Sequence, residues 1–244
     1  MPITHTPAAA QWRWAPHVRT CTVDEQIVLL DLKRNRYLGI GGKSQQRLMA
    51  AIASHASDSA DRSAAGAQAE SAAFLRPLVQ QGLLVRGAAC SQTSSTLPQA
   101  ARSLEADEGF SVVRTGAADL GRFVLAAMAA RICLRLRSLH TIALAVSARR
   151  ERRGADSAQA PQQQLDSAVA GFEKLRPLIF TARDQCLFDS LALIELLAAC
   201  GHHPHWVLGV KTHPFRAHAW VQHGDMVLND RHEHVRRFQP ILVA

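Results

Sequence analysis

The 244-residue chain has five cysteines, Cys21, Cys90, Cys133, Cys186 and Cys200, and none forms a C-x-x-C pair. An odd number without close spacing indicates neither a zinc ribbon nor a disulfide framework, so a reducing, cytoplasmic setting is expected. Met1 to Ala15 lacks the apolar centre of a secretory signal. Charge-free hydrophobic runs are missing too. The apolar stretch from Gly121 to Val146 carries Arg122, Arg131, Arg135, Arg137 and His140, which are costly in lipid, so it reads as a soluble amphipathic helix and no membrane partner is expected. Gly41-Gly42-Lys43-Ser44 ends like a phosphate-binding loop, but Tyr37 stands where that pattern needs its first glycine. No directly bound nucleotide or other cofactor is therefore expected. Eight of the 12 histidines lie between His202 and His234, yet no H-E-x-x-H helix or comparable ligand spacing accompanies them, and no metal is assigned.

The net charge of +8 is unevenly placed. Residues 1–90 hold 10 basic and 6 acidic side chains, residues 101–177 hold 12 and 8, and residues 178–244 hold 6 and 6. The densest basic run, Arg149-Arg150-Glu151-Arg152-Arg153, adjoins a Gly/Ser/Gln-rich stretch and reads as a solvated loop, not a nucleic-acid patch.

The pattern along the chain predicts an α+β protein in two domains, residues 10–88 and 103–244, joined by a Ser/Thr/Ala-rich linker at 89–102. In the first, His17–Val23, Gln26–Leu32 and Tyr37–Ile40 form a strand meander. Ser44 is placed to cap a helix over Gln45–Ser54 that offers Leu48, Met49 and Ile52 to a core, and Glu70–Gln81 is a second helix, stopped by Gly82 and followed by a strand at Leu83–Val85. In the second domain, Leu120, Val124, Leu125, Met128, Ile132, Leu136 and Leu139 share one face of a long helix and are expected to be buried. A polar, irregular stretch at Ser147–Gln164 and a short helix at Leu165–Leu175, ending before Pro177, follow.

The chemistry-bearing residues come late. From Cys186 the apolar positions Leu187, Leu191, Ile194 and Ala198 keep helical spacing up to Gly201, which places Cys186 in a first turn, where the helix dipole favours thiolate over thiol. The same cysteine also reads as a small buried hydrophobe. Ala217–Gln222 alternates as a strand with His218, Trp220 and Gln222 on one face. With a three-residue hairpin loop at His223–Asp225, His218 faces Asp230; with a two-residue loop, Ala219 takes that place and the parity separates the pair. A thiol, an imidazole and a carboxylate are the parts of a nucleophile, its base and the group that orients the base.

Two resemblances sharpen this. The hairpin from Leu29-Leu30-Asp31-Leu32 to Tyr37-Leu38-Gly39-Ile40, followed by a short helix, resembles the winged-helix-like PqqD-type domains that grip the leader segments of ribosomally made peptides. The resemblance implies a leader added as a strand along Arg36, Tyr37, Leu38 and Ile40, beside a wall of Phe74, Leu75 and Leu78; each of these apolar residues reads equally as core. The run Cys186-Leu-Phe-Asp-Ser-Leu, with Pro214-Phe215, Ala217-His218-Ala219-Trp220-Val221 and Leu228-Asn229-Asp230, is similar to the lasso peptide maturation B proteins, leader peptidases with a transglutaminase-like, papain-related fold. That resemblance implies Cys186 as nucleophile, His218 as base and Asp230 as orienting acid. Gln185 is a candidate oxyanion donor beside the Cys186 backbone N–H. It further implies a precursor peptide as substrate and an asparagine-synthetase-like, ATP-using cyclase as partner, any ATP requirement acting through that partner. Amide transfer by the same triad and a non-catalytic subunit that presents the precursor are the competing readings.

Overall fold

The computed structural model describes residues 11–54, 65–87, 97–104, 116–154, 161–179 and 185–244. Contacts divide the chain into two units, Met1–Ser94 and Ser95–Ala244.

In the first unit, β1 (Gln11–Trp14), β2 (Val18–Val23), β3 (Gln26–Asp31) and β4 (Arg36–Gly41) precede α1 (Lys43–Ser54), α2 (Ala65–Gln80) and β5 (Leu84–Gly87). The meander β2-β3-β4 is antiparallel as its turn signals require, with Leu29 opposite Leu38 and Ile27 opposite Ile40. Asp31 organises the second turn: its carboxylate accepts the Lys33 and Arg34 N–H groups at 3.0 and 3.2 Å and pairs with the Arg34 guanidinium at 3.0 Å. β1 was not read from the sequence. It pairs antiparallel with β5, Trp12 opposite Arg86, a partner more than 70 residues away that no local pattern announces. α1 starts earlier than expected, at Lys43, so Ser44 does not cap it; Gly42, at φ +59, lends its carbonyl to the Gln45 and Gln46 N–H groups instead. Leu48 is fully buried and Ile52 packs on the core, whereas Met49 is 56% exposed. α2 ends at Gly82, in the left-handed region at φ +71, and the Leu83 N–H closes back on the Leu78 carbonyl at 2.8 Å. The polar, Ala/Ser-rich stretch His55–Ala69 reads from the sequence as partly helical; residues 65–69 belong to α2, and residues 55–64 lie outside the described residues.

The second unit begins inside the expected linker. Residues 97–104 lie against its sheet: β6 (Arg102–Ser103) runs parallel to a later strand, Ala100 is buried, and the Ala101 and Leu104 N–H groups bond the Asp225 and Val227 carbonyls. The helices are α3 (Ala117–Leu136), α4 (Leu139–Gly154), α5 (Gln162–Ile179) and α6 (Cys186–Ala199); then come β7 (His205–Thr212), β8 (Phe215–His223), β9 (Met226–Val227), α7 (His232–Val235) and β10 (Gln239–Val243). The sheet order is β10-β7-β8-β9-β6. α6 is apolar almost all round, and it is buried from Asp189 to Leu197 except at Glu195, as a central helix must be.

Three expectations fail here for physical reasons. On α3 the buried face is Phe123 with three alanines, Ala126, Ala127 and Ala130, whose small side chains let this helix come close to α6; Leu125, Met128, Ile132 and Leu136 point outward, Leu125 67% and Leu136 79% exposed. Close approach favours alanine over leucine, so size, not hydrophobicity, decided the face. The basic run Arg149–Arg153 is helical, in α4, because Arg149 grips Glu195 of α6 with two hydrogen bonds of 2.8 and 2.7 Å. α5 continues through Pro177, and Arg176 in its last turn forms a 3.0 Å ion pair with Asp189. One lost backbone hydrogen bond near a helix end is outweighed by such tertiary ties.

Candidate active site

Cys186 is the first residue of α6. Gln185 occupies the N-cap position without a side-chain capping bond, and its carbonyl accepts the Asp189 N–H at 2.9 Å. The positive end of the helix therefore faces the thiol. α6 is anchored beneath the cysteine by Trp206 of β7, whose indole N–H donates to the buried Ser190 hydroxyl at 2.9 Å.

His218 is presented by β8 opposite Gly209 of β7. Glycine is required there because an added Cβ would stand 2.7 Å from the Trp220 ring and 3.0 Å from Phe238 Cβ. Trp220 in turn stacks on His218 with centroids 6.1 Å apart and donates its indole N–H to Gln222 at 3.0 Å, while Gln222 bonds the Pro98 carbonyl at 2.8 Å. The shared face of His218, Trp220 and Gln222 is thus a bonded row.

Asp230 reaches His218 by a route that the strand register does not give. The hairpin has the two-residue loop, Gln222 opposite Val227 and His223 opposite Met226, so the three-residue loop expected from the mechanism is absent. That parity, continued along a strand, would set Asp230 on the wrong face. The strand does not continue. After the Leu228 N–H meets the Val221 carbonyl at 2.9 Å, the Asn229 side chain takes over from the backbone, its Oδ1 accepting the Val221 N–H at 2.8 Å. Asn229 Nδ2 also donates to Asp189 Oδ2 on α6 at 3.1 Å. The chain swings out of the ladder there, and Asp230 Oδ2 lies 2.6 Å from His218 Nε2. The register argument against the pair fails because it assumed two more rungs.

With Nε2 committed to Asp230, Nδ1 is the ring nitrogen left for Cys186, and the thiol and imidazole hydrogen-bond each other. Burial pushes the Cys186 thiol up, but the hydrogen bond and charge of His218, with the Ala219 and Leu187 N–H groups, bring it below its ordinary value. Burial pulls His218 down, yet the Asp230 carboxylate and the Cys186 sulfur raise it to about 9. Asp230 is penalised by burial and still falls to about 2, because His218, His234 and the Arg231 N–H all donate to it. These shifts all act in the direction of a thiolate–imidazolium pair over an ionised carboxylate.

Sequence reasoning missed His234. Its Nδ1 lies 2.8 Å from the same Asp230 oxygen, and its ring meets His218 edge-on at 4.8 Å. The spacing, four residues beyond Asp230, is the signal that was available. His218, Asp230 and His234 offer ligand atoms within 4.8 Å of one another and are the single such group among the described residues. Of the other residues singled out earlier, Leu75 is fully buried core and cannot line a surface groove. Phe74, Leu78, Leu38 and Ile40 are partly exposed and pack on that core, Tyr37 is half-buried, and Arg36 is exposed at the edge of the three-stranded sheet.

Residues 124–243 match the transglutaminase-like superfamily. The chain is 42% identical to the microcin J25-processing protein McjB of Escherichia coli over 48 residues, 20% of this chain and 23% of that relative's length. No solved structure matches the chain significantly. No described helix is long and apolar enough to cross a membrane.

Proposed function

Because residues 124–243 form a transglutaminase-like domain, we propose that the chain is a thiol peptidase that removes the leader from a lasso peptide precursor. The observation that carries this is Cys186 at the N-terminus of a buried helix, hydrogen-bonded to His218, itself 2.6 Å from Asp230. The Cys186 thiolate attacks the scissile carbonyl, and His218 passes its proton to the departing amine, the N-terminus of the core peptide. The leader is left as a thioester on Cys186. Water then attacks with His218 as base, the leader leaves with a carboxylate, and the thiolate is restored. The Cys186 N–H, at the open end of α6, is the natural donor to the oxyanion, with Gln185 beside it. Electrostatic preorganisation of this kind is worth about 10²–10³ in rate per donor.

The first unit is proposed as the leader grip. β4 is an edge strand among the described residues, and Arg36–Gly41 offers its outer backbone groups for strand addition. The freed amine suits an ATP-using macrolactam cyclase, the proposed partner; this chain itself is assigned no cofactor.

The test is incubation of the purified chain with a lasso-type precursor, with and without such a cyclase, followed by mass spectrometry. Release of the leader that depends on Cys186 is expected. Cleavage that survives Cys186→Ala would overturn the assignment, amine incorporation instead of hydrolysis would favour amide transfer, and binding without any product would favour a presenting subunit.

A further inference from the structure

The triad assigned above is one residue short of the network that the structure contains. We propose that His234 is a positioning residue for the reaction at Cys186, making the constellation Cys186–His218–Asp230–His234; the proposal rests on the reading of the first three as a triad.

The geometry is specific. Asp230 has two carboxylate oxygens in different surroundings. Among the described residues, Oδ1 accepts only the Arg231 N–H, at 2.7 Å, a bond to the next residue in the chain that leaves the carboxylate free to pivot. Oδ2 receives both imidazoles, His218 Nε2 at 2.6 Å and His234 Nδ1 at 2.8 Å. A carboxylate oxygen only accepts, so both nitrogens carry hydrogens: His234 is held with its proton on Nδ1, and His218 with a proton on Nε2. Two donors that converge on one oxygen from different elements, β8 and α7, fix its direction as one donor does not.

The supports of His234 point the same way. α7 is a single turn whose N-cap, Arg231, has no side-chain capping bond. The turn is tied to the sheet by the His232 N–H, which donates to Ser103 Oγ of β6 at 2.7 Å, and by Val235, which is buried. The His234 ring stands edge-on to Phe238, centroids 5.4 Å apart, while Phe238 also packs against His218 at 5.2 Å. The imidazole is thus braced from two sides although its side chain is 46% exposed. An exposed histidine with no task would be free to turn to water; this one faces inward onto a carboxylate already engaged by the base.

The consequence for chemistry runs through His218. If Asp230 Oδ2 is allowed to rotate, the imidazolium loses its aligned acceptor, and the thiolate that the imidazolium supports becomes scarcer. The loss is in the reacting state and not in peptide capture.

Two substitutions in the full-length chain separate the hydrogen bond from the packing. His234→Phe keeps a ring against Phe238 and His218 but has no donor; His234→Asn sacrifices the ring but can place an amide N–H near the position of Nδ1. Folding is checked by circular dichroism, and two readouts require no peptide substrate: the rate at which iodoacetamide alkylates Cys186, followed on its own tryptic peptide, and the far-downfield proton resonance of the His218–Asp230 hydrogen bond. His234→Phe is expected to slow alkylation roughly tenfold, the scale of one hydrogen bond to a charged group, and to move or broaden the resonance, with His234→Asn recovering most of both. With a precursor, kcat falls and KM stays. An unchanged rate and resonance in His234→Phe, or equal losses in Phe and Asn, would overturn the proposal. Failure of the peptidase reading is a separate result, namely cleavage that persists in Cys186→Ala.

Discussion

The charges of His218 and Asp230 survive burial because each stabilises the other, with Cys186 supporting the first and His234 and the Arg231 N–H the second. Their side chains are 15% and 22% exposed, so little solvent is available to do so in their place. Linkage then fixes the sign of a pH effect on stability. His218 is raised from 6.5 to about 9, so its contribution is complete below pH 6.5 and disappears as the pH climbs through 9. Asp230 is depressed from 3.8 to about 2, so its contribution is complete above pH 3.8 and disappears as the pH drops toward 2. The excess stability of the natural chain over Asp230→Asn, read from urea midpoints, should therefore be largest between these limits and shrink on both sides; a difference that is flat with pH would show that the pair does not form. Cys186 was legible in the sequence because a helix start has a chemical signature. His218 was legible from strand alternation. Asp230 was paired with His218 through a three-residue hairpin loop, and the structure has the two-residue loop that the sequence also allowed. Alternation describes a strand only as long as the strand lasts, and Asn229 ends this one.

Asn229 is also what fastens the elements of the candidate site to one another. It bonds the Val221 N–H of β8, donates to Asp189 of α6, and precedes Asp230 directly. Asp189 is 5% exposed, and its other oxygen has the Arg176 guanidinium of α5 at 3.0 Å. Asn229→Ala would leave a backbone N–H without its partner and a buried carboxylate with one fewer donor, each omission costing about 1–3 kcal/mol. A loss of stability on that scale by denaturant titration, with slower Cys186 alkylation, is the expected outcome; an unchanged midpoint would show that water substitutes for the amide. At the level of elements, the sequence reported strand and helix character well and partners poorly. The periodicity of α3 is real, but it offers two faces, one of leucine, methionine and isoleucine and one of phenylalanine and alanines. Only the neighbour, α6, selects the second. β1 pairs across most of its unit with β5, and β10 pairs antiparallel with β7, relations that are stated nowhere in the local pattern.

At the scale of the chain, the boundary matters more than the composition around it. Polar, small-residue sequence continues to about Ala101 and hides the fact that residues 97–104 are held against the sheet, because backbone groups and small apolar side chains hold them. Ala100 is packed among Val207, Trp220, Val227, Val235 and Phe238, and Leu97 lies against the same cluster. Pro98 accepts the Gln222 amide, and Gln222 holds the Trp220 indole that stacks on His218. Two truncated chains turn this into a measurement. Residues 95–244 contain Cys186, His218, Asp230, His234 and the side chains bonded to them together with this strap, so they are expected to fold and to keep the alkylation rate of Cys186 within about twofold, because the hydrogen bonds that hold His218 and Asp230 lie within this unit. Residues 105–244 lack the strap: the Trp220 cluster loses Ala100, Gln222 loses its carbonyl, and the Val227 carbonyl loses the Leu104 N–H. That chain should melt at a lower temperature and alkylate more slowly, since His218 is oriented through Trp220 and Gln222. The exposed Arg102–Asp225 ion pair is not the cause, because solvent and salt screen a surface pair, and Arg102→Ala in the full chain should leave both properties nearly unchanged. Equal melting temperatures and alkylation rates in the two truncated chains would mean that residues 97–104 lie against the sheet without holding the site together.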